Sequence, residues 1–310
     1  MIDAIWAARN RLKGVTLRTP LLPLQGVSDS RIWIKLENLQ PGGSYKLRGV
    51  YNRVALAKDE VKARGAKIVS SGNGAIALGI ACRSIGAPFE VVMPESASQH
   101  KVEAVRALGG TVVLLPSVLG YINNDRELLR KESRVFIHPF LDPDVWAGHG
   151  TLAVEVLEDL PDLRTLLVPI GGGGLIIGVA GAVKALAPHV KVIGVQPAAC
   201  PSWAETIRRN EPCSFDVQPT IADAIQVPVV LESVWSVARD LVDGCITVTE
   251  AEIRSAMRLL AIHNRVVAEG AGAVATAAAL KLDESEGPVV AIVSGGNMHP
   301  TVLAEVLSEH

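Results

Sequence analysis

The sequence predicts an α/β protein built on parallel sheets with helices on both faces. Three observations carry that reading. Short β-branched or apolar runs alternate with longer stretches whose apolar residues recur at helical spacing. The strand-like runs are apolar at most consecutive positions rather than at every second residue, as strands buried on both faces require. The 28 glycines are unevenly spread, and 11 of them fall in four short segments, three of which directly follow predicted strands.

In chain order, residues 31–36 (RIWIKL) form the first strand, rich in β-branched and aromatic side chains. Residues 45–57 carry apolar side chains at helical spacing. Strands follow at 67–69, 89–93, 111–115 and 135–137, with helices at 75–84, 98–108 and 119–131 between them. An amphipathic helix fits 148–160, a buried strand 165–170 (TLLVPI), and a helix runs from there to Leu186. The strand 191–195, the helices 250–263 and 271–280, and the strand 289–293 complete the pattern. Residues 50–144 hold enough consecutive strand–helix units for a small sheet of their own. They are expected to form a small mobile domain, with 1–49 and 145–310 forming the larger one. The chain as read ends soon after its last strand, so no appended regulatory domain is expected.

Composition narrows the function. With 30 basic and 32 acidic side chains the formal net charge is -2, and no basic cluster offers a footprint for nucleic acid. Every apolar run is too short to span a bilayer. The start, MIDAIWAARNRLKG, lacks the basic and apolar regions of a signal peptide. Four cysteines without metal-ligand spacing suit a reducing, cytoplasmic setting.

The glycine segments carry the chemistry. Gly171, Gly172, Gly173 and Gly174 follow a buried strand and open a helix, so that backbone N–H groups and the helix dipole can meet a phosphate. A tight strand-to-helix turn is the plainer alternative. A P-loop is excluded because Val179 and Ala180, not Lys and Ser/Thr, follow the next glycine. A dinucleotide site is disfavoured because Ile176 holds the third glycine position and the next strand ends at Gln196 rather than an acid. A smaller phosphorylated cofactor survives. In PGGSYKLRG, Lys46 stands beside a Gly-Gly turn at a helix start, where the adverse dipole favours the neutral amine that a Schiff base needs. Alone, such a lysine reads far more readily as a solvated surface residue. Ser70, Ser71, Gly72, Asn73 and Gly74 form a polar turn that can bind a carboxylate or simply cap a helix, and Ser294 opens SGGN after the last strand. Segments at the carboxyl ends of parallel strands lie where such sheets bind ligands.

In that order and spacing, KLENLQPGGSYKLRG, SSGNGA, VVMPESASQHKVEAVRALGG, HPFLDPDVWAGHGT, VPIGGGGLIIG, TIADAI and VSGGN resemble the threonine/serine dehydratase and serine racemase group. That group belongs to the tryptophan-synthase-like enzymes that use pyridoxal 5′-phosphate (PLP), and the likeness spans about 19–297. It implies the tryptophan synthase β-subunit-like PLP fold, with PLP in the larger domain, and a homodimer. It implies that Lys46 carries the cofactor and moves the substrate Cα proton, and that Gly171–Gly174 hold the phosphate. It places Asn73 at the ring oxygen, Glu269 near the ring and Ser294 at the pyridine nitrogen. Ser70, Ser71, Gly72 and Gly74 would receive the substrate carboxylate. The implied reaction takes a β-hydroxy amino acid such as L-threonine or L-serine to a 2-oxo acid and ammonia. Racemisation, alone or beside elimination, is the alternative, because Ser71 can serve a proton on the face opposite the lysine. A β-replacement synthase and a non-catalytic PLP-binding protein are further alternatives.

Two departures from the group stand out. Gly74 replaces a histidine, which is expected to free volume for a bulkier or more polar substrate. Gln196 and Ser202 stand where many relatives place cation-binding acids, so no metal site is expected. By spacing alone, His138, His149 and Glu155 belong to no constellation.

Overall fold

The computed structural model describes residues 1–28, 31–70, 72–95, 97, 99–283 and 287–309. Ten strands occur among them: β1 (Leu21–Pro23), β2 (Ile32–Leu36), β3 (Ala66–Val69), β4 (Phe89–Pro94), β5 (Thr111–Leu115), β6 (Val135–Ile137), β7 (Thr165–Pro169), β8 (Lys191–Pro197), β9 (Gly244–Val248) and β10 (Val289–Val293). They form a six-stranded sheet in the order β1-β2-β10-β7-β8-β9 and a four-stranded sheet in the order β5-β4-β3-β6. Every pairing is parallel except that of the edge strand β1, which runs antiparallel to β2.

The consecutive apolar residues of the central strands have a direct structural cause. Along β10, Val290 and Ile292 enter one core while Val289, Ala291 and Val293 enter another. Along β7, Leu166 and Val168 face the first core and Leu167 the second. Helices Ile2–Arg11, Pro143–Asp159 and Gly174–Leu186 cover one face, while Glu250–Asn264 and Gly270–Ala279 cover the other. The smaller sheet repeats the pattern, with Val91 and Met93 of β4 on one side and Val92 on the other.

Several boundaries differ from the sequence reading. The expected helix 119–131 is two short ones, Leu119–Ile122 and Arg126–Arg130. Asn124 between them turns left-handed at φ 57°, and the Asp125 carboxylate accepts from the Glu127 and Leu128 N–H groups to start the second. The helix expected from Gly148 starts at Pro143, because the Asp142 side chain caps it and proline suits the first turn. The helix Glu250–Asn264 begins with a capping box between Thr249 and Glu252. Strands β1 and β9, and helices Ile2–Arg11, Lys58–Arg64, Ser202–Arg209, Glu232–Ala238 and Pro300–Ser308, were not expected. No helix among the described residues is long and apolar enough to cross a membrane.

Candidate active site

The carboxyl ends of β3, β7 and β10 open on one cavity of about 910 Å³ between the two sheets. It brings together Lys46, Ser70, Gly72, Asn73, Gly74, Gly171, Gly172, Gly173, Gly174, Glu269 and Ser294. Ser71, the twelfth expected residue, lies outside the described residues.

Lys46 is the first residue of the helix Lys46–Leu56, and its Nζ lies 5.0 Å from the centroid of the Tyr45 ring. The preceding turn is stitched to the loop after β10. Tyr45 N–H donates to the Ser294 carbonyl at 3.1 Å, and Gly296 N–H donates to Gly43 at 3.0 Å. The lysine and Ser294 therefore share one rigid frame, in which the Ser294 hydroxyl donates to the Ala271 carbonyl at 3.3 Å.

Beneath the helix lies a fully bonded set of buried charges. Arg48 Nε and Nη2 donate to Glu37 at 2.8 Å each, and Nη1 and Nη2 reach Glu155 at 2.7 and 2.9 Å. Lys35 donates to Glu155 and to the Thr19 carbonyl, both at 2.7 Å, and the Thr19 hydroxyl donates to Glu37 at 2.6 Å. Burial alone would raise the Glu37 carboxyl, but the Arg48 guanidinium outweighs it and holds the group below its ordinary value. Glu155, without a role by spacing, thus ties β2 and the lysine helix to Pro143–Asp159.

Asn73 begins the helix Asn73–Ile85. Its amide donates to Glu269 at 2.7 Å and accepts from Asn297 at 2.8 Å, so its orientation is fixed at both ends. Asn297 also donates to the Gly42 carbonyl at 2.7 Å and belongs to the site, although the sequence reading gave it no role. Glu269 is only 6% exposed. Burial pushes its carboxyl up to about 7, against the hydrogen bond from Asn73. Near neutrality it can hold or release a proton, unlike an ordinary carboxylate.

That shift has a measurable consequence. In the folded chain Glu269 keeps a proton that the unfolded chain releases above its ordinary value of 4.5. The stability this provides is full below pH 4.5 and is lost as pH rises through 7. We expect cofactor-free Glu269→Gln to gain on the wild type by about 2–3 kcal/mol between pH 4.5 and pH 8 in urea unfolding. Parallel stability curves for the two proteins would contradict the assignment.

The helix Gly174–Leu186 starts from the four-glycine turn, whose N–H groups at the first helical turn lack intrahelical partners. Aromatic rings explain two of the glycines. A Cβ on Gly172 would enter the Phe140 ring, and one on Gly173, at φ +93°, would lie 2.7 Å from the Trp203 ring. Phe140 lies in a segment held by His138, whose Nδ1 accepts from the Phe140 and Leu141 N–H groups at 3.3 and 3.1 Å. Burial lowers His138 to about 4, so it stays neutral and keeps that acceptor. His149 is fully buried against the Tyr45 ring, 4.8 Å between centroids.

The space beside Gly74 is partly taken: a Cβ there would meet Ser70 Oγ at 2.9 Å and Ile68 Cδ1 at 3.3 Å, while Gly74 and Ser70 both line the cavity. A different polar feature rims the cavity: Lys101, on the helix Gln99–Ala107, pairs with Asp223 at 2.9 Å and joins the two halves of the molecule. Gln196 is buried, accepts from Trp203 N–H at 2.8 Å and donates to Ser202 Oγ at 3.2 Å.

The donor set fits PLP. A glycine turn at a helix start suits a phosphate, an amine an aldehyde, a hydroxyl the ring nitrogen, and an amide the ring oxygen. The comparisons agree. Residues 12–295 match the family model described as pyridoxal-phosphate dependent enzyme. The L-threonine ammonia-lyase of Thermotoga maritima is 39% identical over 99% of this chain and 78% of its own length. The L-threonine dehydratase catabolic TdcB of Escherichia coli is 37% identical over 98% of this chain and 95% of its own. Maize serine racemase superposes with a TM-score of 0.89 at 32% identity, covering 98% of this chain and 95% of that one. Cavity, donor set and full-length likeness have one reading: the chain belongs to the pyridoxal-phosphate dependent enzymes of that family.

Proposed function

We propose that the protein is a PLP-dependent ammonia-lyase that converts a β-hydroxy amino acid such as L-threonine or L-serine to a 2-oxo acid and ammonia. The observation that carries this reading is the convergence of the Lys46 amine, the glycine turn and the Ser294 hydroxyl on one cavity. Bound PLP supplies the electron sink that lets the Cα proton and the β-hydroxyl leave. The chain does the rest. The N–H groups at the start of Gly174–Leu186 would hold the phosphate, and Lys46 would hold the aldehyde carbon. The Lys46 amine would also take the Cα proton. Asn73, fixed by Glu269 and Asn297, would orient the ring oxygen, and residues 70–74 would receive the substrate carboxylate. Ser294 would meet the pyridine nitrogen with a hydroxyl rather than a carboxylate, which would favour elimination over transamination. The β-hydroxyl departs with the Cα proton as water, and hydrolysis of the released enamine consumes that water and frees ammonia.

The test is a panel of L- and D-β-hydroxy amino acids incubated with the purified holoenzyme, following 2-oxo acid and enantiomer ratio together. L-threonine or L-serine should yield 2-oxo acid, and a panel with no 2-oxo acid product would sink the proposal. Racemisation is the second reading, favoured by the likeness to serine racemase and by the serine at position 71. Ser71→Ala should abolish any change in enantiomer ratio while sparing most elimination. Equal loss of both would refute the two-face assignment.

We further propose a homodimer, checked by sedimentation equilibrium. Residues 50–144 are proposed to act as a small domain that closes on substrate, checked by small-angle scattering with and without L-serine. The free state of Cys82, Cys200, Cys213 and Cys245 supports a reducing, cytoplasmic setting.

A further inference from the structure

We propose that Trp203 is a positioning residue for the glycine turn, and through it for the cofactor phosphate. This inference rests on the PLP site proposed above. Trp203 does not line the cavity and is completely buried. Its indole Nε1–H donates to the Gly171 carbonyl at 2.6 Å, 32 residues away in sequence. Its ring occupies the place that a Cβ on Gly173 would need. One side chain thus restrains the turn at its first and third residues.

The hydrogen bond does more than fill space. A trans peptide is planar, and its C=O and N–H point in opposite directions. Holding the Gly171 carbonyl toward the indole therefore turns the N–H of Gly172 the other way, and Gly172 lines the cavity. Four consecutive glycines have little conformational preference of their own and lose much entropy when ordered. A phosphate site built on them is tight only if something else sets the turn beforehand. Trp203 is that restraint on one side, and the Phe140 ring opposes it at Gly172. Phe140 is in turn held by Trp146, whose indole N–H donates to its carbonyl at 2.7 Å.

Trp203 is itself placed with care. It stands in the first turn of Ser202–Arg209, where the N-cap residue Pro201 offers no side-chain acceptor. Gln196, at the carboxyl end of β8, supplies one instead. Its Oε1 accepts the Trp203 N–H at 2.8 Å, and its Nε2 donates to Ser202 Oγ at 3.2 Å. The Ser202 hydroxyl then donates to the Val227 carbonyl at 3.0 Å. The path from β8 to the phosphate turn runs Gln196, Trp203, Gly171.

The test compares ligands that share or lack the phosphate. Cofactor-free wild type and Trp203→Phe are titrated calorimetrically with inorganic phosphate, PLP and pyridoxal. Phe keeps much of the ring packing and loses the donor. Phosphate and PLP should bind the variant about five- to tenfold more weakly, the worth of one buried hydrogen bond, while pyridoxal affinity stays unchanged. Unchanged phosphate affinity, or equal weakening of pyridoxal and PLP, would overturn the inference. Should Trp203→Phe fail to fold, benzothienylalanine at position 203 removes the N–H at constant ring size, and the same outcomes apply. Failure of the wild type to bind either phosphate or PLP would overturn the cofactor reading and this inference together. Normal wild-type binding with an unaffected variant would overturn this inference alone.

Discussion

Lys46→Ala is expected to lower 2-oxo acid formation by about 10³-fold or more, because one amine is asked both to hold the cofactor and to move the Cα proton. The loss should come without a comparable loss of stability. Lys46 lies at the mouth of the helix Lys46–Leu56 and is partly exposed, whereas the helix is anchored by Leu47, Arg48 and Val50 behind it. Thermal unfolding of the cofactor-free variant should therefore stay close to that of the wild type. A variant that keeps a tenth of the turnover would place the proton transfer on another residue.

Arg48→Met should do the opposite and strike the fold first. Arg48 is 1% exposed and serves two buried carboxylates, Glu37 and Glu155, each also bonded by a second donor. Removing it leaves those carboxylates with one buried cation, Lys35, between them. Breaking a buried pair from one side typically costs about 3–5 kcal/mol, because the remaining charge is already desolvated. Equilibrium urea unfolding would measure this. Adding Glu155→Gln to Arg48→Met should cost less than the sum of the single changes, since the amide relieves the stranded charge. Strict additivity would mean that the two side chains do not share the network.

Most of the fold was legible because burial on both faces leaves a plain trace. β10 is apolar at every position for that reason, and β7 at all but Thr165. What escaped detection carries a weaker trace. β1 is three residues at an edge and largely exposed, and β9 is only half-buried along most of its length. The break at Asn124 rests on one left-handed residue inside an otherwise helical pattern. The site was legible because its glycines and Lys46 are local signals at strand ends. Its supports were not: Trp203 and Phe140 meet the glycine turn only through the fold, and Glu155 reaches Arg48 across 107 residues. Gly74 shows the converse limit. A missing side chain suggested space, but Ser70, four residues earlier, crowds the position where a Cβ would stand.

The placement of β10 has a consequence for how the chain is made. The last strand in sequence is not at an edge but between β2 and β7, so both wait for it. The four-stranded sheet, drawn from a continuous stretch between Ala66 and Ile137, can assemble while synthesis continues. The six-stranded sheet cannot close until residues 289–293 have left the ribosome. Until then β2 and β7 present unpaired apolar edges of the kind that draw other chains into aggregates. A ribosome stalled before Val289 would release a polypeptide with one finished half and one adhesive half, a natural client for chaperones.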